Sequence, residues 1–194
     1  LSLVGATDQS ISGTSGKLNF LEISKPSGDV LLNVHVQVDN VLGGTSQAHL
    51  VNNGGTLILT NTISSFLGAV DDVELAGNGV LFFGQDLNVN NSLTITSVST
   101  MGSNKKIKVS GNVIANDANG WGTTFNQNAV TLSLVGATDQ SISGTGTISY
   151  FEFAKPTGDA LFDAAFNKTF NNFNVTAGTW NTFFQPFASS GGFS

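Results

Sequence analysis

An all-β parallel solenoid is the fold class this sequence predicts, and three observations predict it. The segment LSLVGATDQSISGT stands at residues 1–14 and again, unchanged, at 132–145. Short strands with apolar residues two apart recur along the chain, and no helical spacing is sustained. Between the strands lie Gly, Asn, Asp and Ser clusters, the residues that turns require. Self-similarity with short strands is the signature of a stacked-repeat architecture.

The strands follow in order. LSLVG opens at Leu1, VLLNV at Val30, LILTN at Leu57, LFFGQ at Leu81, IKVSG at Ile107, LSLVG at Leu132 and ALFDA at Ala160. Their starts lie 24–29 residues apart, so the sequence predicts about seven coils of that length. At ~4.8 Å per stacked strand they would form a rod on the order of 30 Å long. In VLLNVHVQV, residues Val30, Leu32, Val34, Val36 and Val38 share one face of an extended strand. An antiparallel β-sandwich is the alternative, since it too uses many short strands, but it does not require equivalent strands at a near-constant interval.

The long repeat outlasts the identical segment. NFLEISKPSGDVLL at 19–32 answers to SYFEFAKPTGDALF at 149–162, with one residue deleted between the copies. The Lys-Pro-x-Gly-Asp turn is kept while Leu21 and Ile23 become Phe151 and Phe153. The chain therefore reads as one continuous solenoid over 1–194, with 1–131 one full unit and 132–194 the start of a second. The second unit departs from the first in a Phe-rich end, TWNTFFQPFASSGGFS. Since Leu1 is not Met and falls inside a repeated motif, the chain reads as an excerpt or a mature product.

Composition narrows the function classes. Charged residues make up 10% of the 194, the formal net charge is -6, all seven basic residues are lysine, and cysteine is absent. Nucleic-acid binding is disfavoured, because phosphate recognition relies on clustered Arg and Lys. The one basic cluster, NKKIK at 104–108, reads as lysines guarding an exposed strand. No apolar run approaches the ~20 residues of a membrane helix, and membrane insertion is not expected.

Chemistry-bearing residues are few and paired by the repeat. Glu22 and Glu152, Asp8 and Asp139, and Asp29 and Asp159 occupy equivalent positions, which argues for turns and ladders over a unique catalytic constellation. Asp8 and Asp139 read as turn caps whose carboxylates accept backbone N–H groups. Asp71 and Asp72 are adjacent and, on a strand, point to opposite faces. His35 sits on the outward phase of its strand, and His49 has no third metal ligand in view. The turns at Asp39, Asp71, Asp72 and Asp117 carry calcium-ligand types without the EF-hand or nonapeptide pattern. TIT at 94–96 lacks the regular tiling of an ice-binding face. No enzyme activity, metal or cofactor is expected. Trp121 and Trp180 are the residues fit to stack on sugar rings, and Phe183, Phe184 and Phe187 are the expected contacts for assembly at an open end.

The order of segments in GNVIANDANGWGTTFNQNAVTLSLVGATDQSISGTGTISYFEFAKPTGDALF, residues 111–162, resembles the tandem repeats of large secreted bacterial surface proteins of the adhesin and autotransporter-passenger kind. That resemblance, which extends over nearly the whole chain, implies a right-handed β-helix and an extracellular or cell-surface location. The expected function is a structural stalk, fibre or adhesin segment that self-associates or continues into further repeats, with a surface glycan or matrix as partner. A carbohydrate-binding or polysaccharide-degrading β-helix is the alternative.

Overall fold

The structure is a computed structural model describing residues 1–44, 48–60, 63–64, 66–77, 80–96, 100–102, 104–116, 130–166, 170 and 172–178. Among them are nineteen strands and no helix, and every strand pairing is parallel. The chain is the parallel β-solenoid that the sequence predicts.

Three ladders run along the stack. The first contains Gln9–Ile11, Val30–Leu32, His49–Asn52, the starts of Ala69–Leu75 and Leu87–Ile95, then Lys106–Val109, Thr131–Leu134, Tyr150–Ala154 and Asn172–Ala177. The second takes the starts of Gly16–Ser24 and Val36–Gly43, then Leu57–Leu59, the ends of Ala69–Leu75 and Leu87–Ile95, Val113–Ala115, Gln140–Ser143 and Ala160–Phe162. The third takes Ser2–Val4, the ends of Gly16–Ser24 and Val36–Gly43, Ile63–Ser64, Val80–Phe83 and Thr100–Gly102. The first ladder is nine strands deep, a rise of roughly 40 Å at the usual strand spacing.

Inward residues make the core. In the first ladder Val30, Leu50, Val70, Val89, Val109, Leu134 and Phe153 stand one above another at 0–1% exposure. Each fully buried aliphatic side chain contributes about 1.5–3 kcal/mol relative to exposure. Toward the C-terminal turns the filling becomes aromatic: Phe151 lies 5.6 Å from Phe173 in a stacked pair and 5.3 Å from Phe170. The second copy carries Phe151 and Phe162 where the first has Leu21 and Leu32, so both changes add volume in one neighbourhood of the core, with the two rings 5.8 Å apart.

The turn is shorter than the interval between strand starts. Leu50 pairs with Val70 and Val89 with Val109, steps of about 20 residues. Longer steps occur where Lys106 meets Thr131 and Val113 meets Ile142. The strand starts noted in the sequence do not lie over one another: Ser2–Val4, Val30–Leu32 and Leu57–Leu59 belong to the third, first and second ladders. Most of those intervals of 24–29 residues therefore span one turn plus one side of the prism. VLLNVHVQV is likewise two strands, Val30–Leu32 and Val36–Gly43, on different ladders. Its corner at residues 33–35 preserves the inward phase, so Val30, Leu32, Val36 and Val38 are all buried.

The repeat also fails to land on its own ladder. Ser2–Val4 is in the third ladder, while the identical residues of Thr131–Leu134 are in the first. Local neighbours are nevertheless kept: Ser2 pairs with Glu22 as Ser133 does with Glu152, and Gln9 with Val30 as Gln140 does with Ala160. The repeated object is a module about two turns deep that fits more than one side of the prism.

Candidate functional site

The duplicated segment and the Lys-Pro-x-Gly-Asp turn meet, and together they form a clamp between successive turns. In the second copy the Lys155 ammonium is fully buried, and Nζ donates to Gly136 O (2.9 Å), Thr138 O (2.7 Å) and Gln140 Oε1 (2.7 Å). Thr157 Oγ1 donates to Ala137 O (2.6 Å), and the Asp159 amide donates to Asp139 Oδ1 (2.9 Å). The first copy repeats the set except for the lysine's bond to the glycine carbonyl. Lys25 Nζ donates to Thr7 O (2.6 Å) and Gln9 Oε1 (3.0 Å), Ser27 Oγ to Ala6 O (2.7 Å), and the Asp29 amide to Asp8 Oδ1 (2.9 Å). Asp8 and Asp139 thus accept a backbone N–H, as the sequence predicts, but from the next turn rather than from their own.

Glycine closes the clamp for a steric reason. Gly28 and Gly158 hold φ of 76° and 78°, and a Cβ on either would stand 2.7 Å from the carbonyl carbon of Thr7 or Thr138. Only glycine combines that backbone conformation with so close an approach. The buried ammonium occupies a cage of carbonyl oxygens. Burial pushes Lys155 below the usual lysine range, against the opposing pull of Asp139 and Asp159.

A second cluster lies on the outward side of the first ladder. Glu152 is buried, and its carboxylate accepts from Lys106 Nζ (2.8 and 2.9 Å) and Ser133 Oγ (2.6 Å). Lys108 pairs with Asp86 at 2.8 Å. The strand Lys106–Val109 has a neighbour on each side, so these lysines do not guard an exposed edge, as the sequence suggested; they bridge turns. Burial tends to raise Glu152, but the hydrogen bonds of Lys106 and Ser133 outweigh it and hold the carboxyl below its ordinary range. A carboxyl depressed in the folded state stabilises the fold above its unfolded value, and that contribution is lost as pH falls through the folded value. Glu152→Gln is therefore expected to flatten the acid limb of thermal stability below the ordinary glutamate value of 4.5, measured by melting across a pH series. An unchanged acid limb would remove Glu152 from the explanation.

Near this cluster an open groove is lined by Ala69, Asn88, Asn90, Lys108, Ser110 and Val135, among others. His49 Nε2 stands 2.6 Å from Asp71 Oδ1 and 3.0 Å from Asn90 Nδ2 at its margin. The amides, the hydroxyl and the ammonium form a surface that can hydrogen-bond a polar ligand.

Other outward polar residues link turns as well. Asn33 Nδ2 donates to Ser12 Oγ and Asn53 Nδ2 to Asn33 Oδ1, both at 2.7 Å, and Thr60 Oγ1 donates to Asp39 Oδ1 at 2.8 Å. The hydrogen bonds from Gln37 and Thr60 lower the Asp39 carboxyl from its ordinary value. Asp71 and Asp72 do not point to opposite faces as expected of a regular strand: they lie between the buried Val70 and Val73 at the bend where the strand changes ladder, and both face outward, Asp71 pairing with His49 and Asp72 accepting from Ser92. His35 is exposed. No group of three His, Cys, Asp or Glu fit to hold a metal ion occurs among the described residues.

Trp121, Trp180, Phe183, Phe184, Phe187 and Asp117 lie outside the described residues. Neither Lys25 nor Lys155 stood out as a clamp in the sequence, although the recurrence of Lys-Pro-x-Gly-Asp beside a repeated Asp-Gln was the available signal. No known protein family, curated protein or solved structure matches this chain.

Proposed function

We propose that this chain is a structural segment of a secreted or cell-surface protein, a stalk, fibre or adhesin repeat that assembles end to end into filaments. One observation carries the reading: what the sequence keeps in duplicate is a device for holding one turn on the next. The atoms it reproduces, from the lysine cage to the Asp8 and Asp139 caps, face neighbouring turns of the same chain. A catalytic site needs one constellation with free groups, whereas a stack needs compatible joints throughout. Sedimentation over a wide concentration range tests the proposal. Growing assemblies are expected, and replacing Phe183, Phe184 and Phe187 together with Ser is expected to shorten them. A monomer at every concentration would reject end-to-end assembly.

The groove beside Asn88, Asn90 and Lys108 favours a second reading, a carbohydrate-binding solenoid. Its amides suit sugar hydroxyls and its lysine suits a sugar carboxylate. Binding to a panel of neutral and acidic polysaccharides, lost in Asn90→Ala and Lys108→Met, would support it. Release of reducing ends or unsaturated products would instead point to an enzyme.

A further inference from the structure

We propose that the outer side of the first turn, residues 1–15, is a docking seat for the closing turn, residues 105–116, of another copy of the 131-residue unit. The proposal rests on the scaffold reading and deepens it, by naming the joint and both partners. Its basis is a comparison the molecule makes with itself, because the same fourteen residues occur once with such a turn above them and once without.

In the second copy the seat is filled. Ile107 pairs with Leu132 and Val109 with Leu134, and Val113 pairs with Ile142. Gln140 Nε2 donates to Val109 O (3.0 Å) and to Gly111 O, while the Val135 amide donates to Val109 O at 2.9 Å. The Ser141 amide donates to Asn112 Oδ1 (2.8 Å), and the Gly146 amide donates to Ala115 O (2.7 Å). Gly136 and Gly144 back directly onto Ser110 O and Ala115 O, where an added Cβ would come within 2.1 Å.

In the first copy the same groups face outward with nothing on them among the described residues. A Cβ added to Gly5 or Gly13, the counterparts of Gly136 and Gly144, would meet no atom within 4 Å. Gln9 keeps the bond from Lys25 to its Oε1, as Gln140 does from Lys155, and its Nε2 has no protein acceptor among the described residues. Leu1 is 53% exposed where Leu132 is buried, and Val4 is 59% exposed. Charge agrees with shape. Glu22, the counterpart of Glu152, is exposed and receives Ser24 Oγ, which leaves it available to the lysine equivalent to Lys106. One rearrangement is required: Gly5 leaves its φ of 117°, a conformation that Gly136 does not share. Glycine makes that change without a Cβ penalty.

The partner is therefore a turn that brings carbonyls at the positions of Val109, Gly111 and Ala115, an amide side chain at Asn112, and a lysine at Lys106. The test repeats residues 104–131 ahead of Leu1 in the full chain and follows amide hydrogen exchange. The amides of Val4, Ser10 and Ser15, counterparts of Val135, Ser141 and Gly146, are expected to exchange quickly in the 194-residue chain. In the extended chain they are expected to slow by at least about tenfold, as joining a cooperative stack requires. Fast exchange at all three, with Val135, Ser141 and Gly146 still protected, would overturn the seat. Filament imaging of the unextended chain reports separately on the scaffold reading, so the two failures are distinguishable.

Discussion

Phe151→Ala is expected to cost about 4 kcal/mol of folding stability, the range typical of a large aromatic removed from a packed core. Phe151 is 1% exposed and touches three other rings, with centroids 5.8 Å from Phe162, 5.3 Å from Phe170 and 5.6 Å from Phe173. Those rings belong to successive turns and cannot all move into the vacated space. Urea unfolding of the wild type and the variant measures the loss. A decrement below about 1 kcal/mol would mean that the aromatic stack repacks freely, contrary to the tight interiors expected of folded proteins. Phe151→Leu restores the residue of the first copy at Leu21. It is expected to recover only part of the loss, because Phe162 now stands where the first copy has Leu32.

Lys155→Met is expected to cost about 3 kcal/mol, because it orphans buried acceptors that the ammonium satisfied. Met has a similar length and fills much of the same volume, so the loss reports the missing hydrogen bonds to Gly136 O, Thr138 O and Gln140 Oε1. Lys25→Met is expected to cost less, since Lys25 Nζ serves two acceptors and lies at the less covered end of the stack. Because each turn of a solenoid contacts chiefly the turns next to it, the damage should be local. Amides from 136 to 140 and at Asp159 are expected to lose exchange protection before those of residues 30–60. Uniform loss along the chain would contradict that picture, and a neutral Lys155→Met would show that the cage is incidental.

The fold class was legible because parallel stacking imposes one demand on every turn, namely an apolar residue at each inward position. Val30, Leu57 and Leu132 announce it without any knowledge of which strands pair. The length of a turn was not legible, because alternation continues round a corner. Asn33 and His35 interrupt the strand while Val36 resumes the inward phase, and nothing in the letters marks the change of ladder. The same ambiguity hid the displacement of the second copy onto another side of the prism.

At the candidate site, the residue types of Asp8 and Asp139 announced carboxylates that accept backbone N–H groups, but not that the donors, the Asp29 and Asp159 amides, come from the next turn. The lysines were not legible. A lysine is ordinarily exposed, and only the return of the chain one turn later places the carbonyls of Gly136 and Thr138 around Lys155. Lys106 and Glu152 illustrate the same limit, since their contact joins strands separated by an intervening rung.

Cryo-electron microscopy of the purified chain at rising concentration tests the central claim, that these turns belong to an end-to-end scaffold. Fibres that lengthen with concentration and show a continuous ~4.8 Å axial repeat, the spacing of stacked strands across every joint, are expected. Isolated rods of roughly 40 Å at all concentrations, the length of one described stack, would contradict that claim.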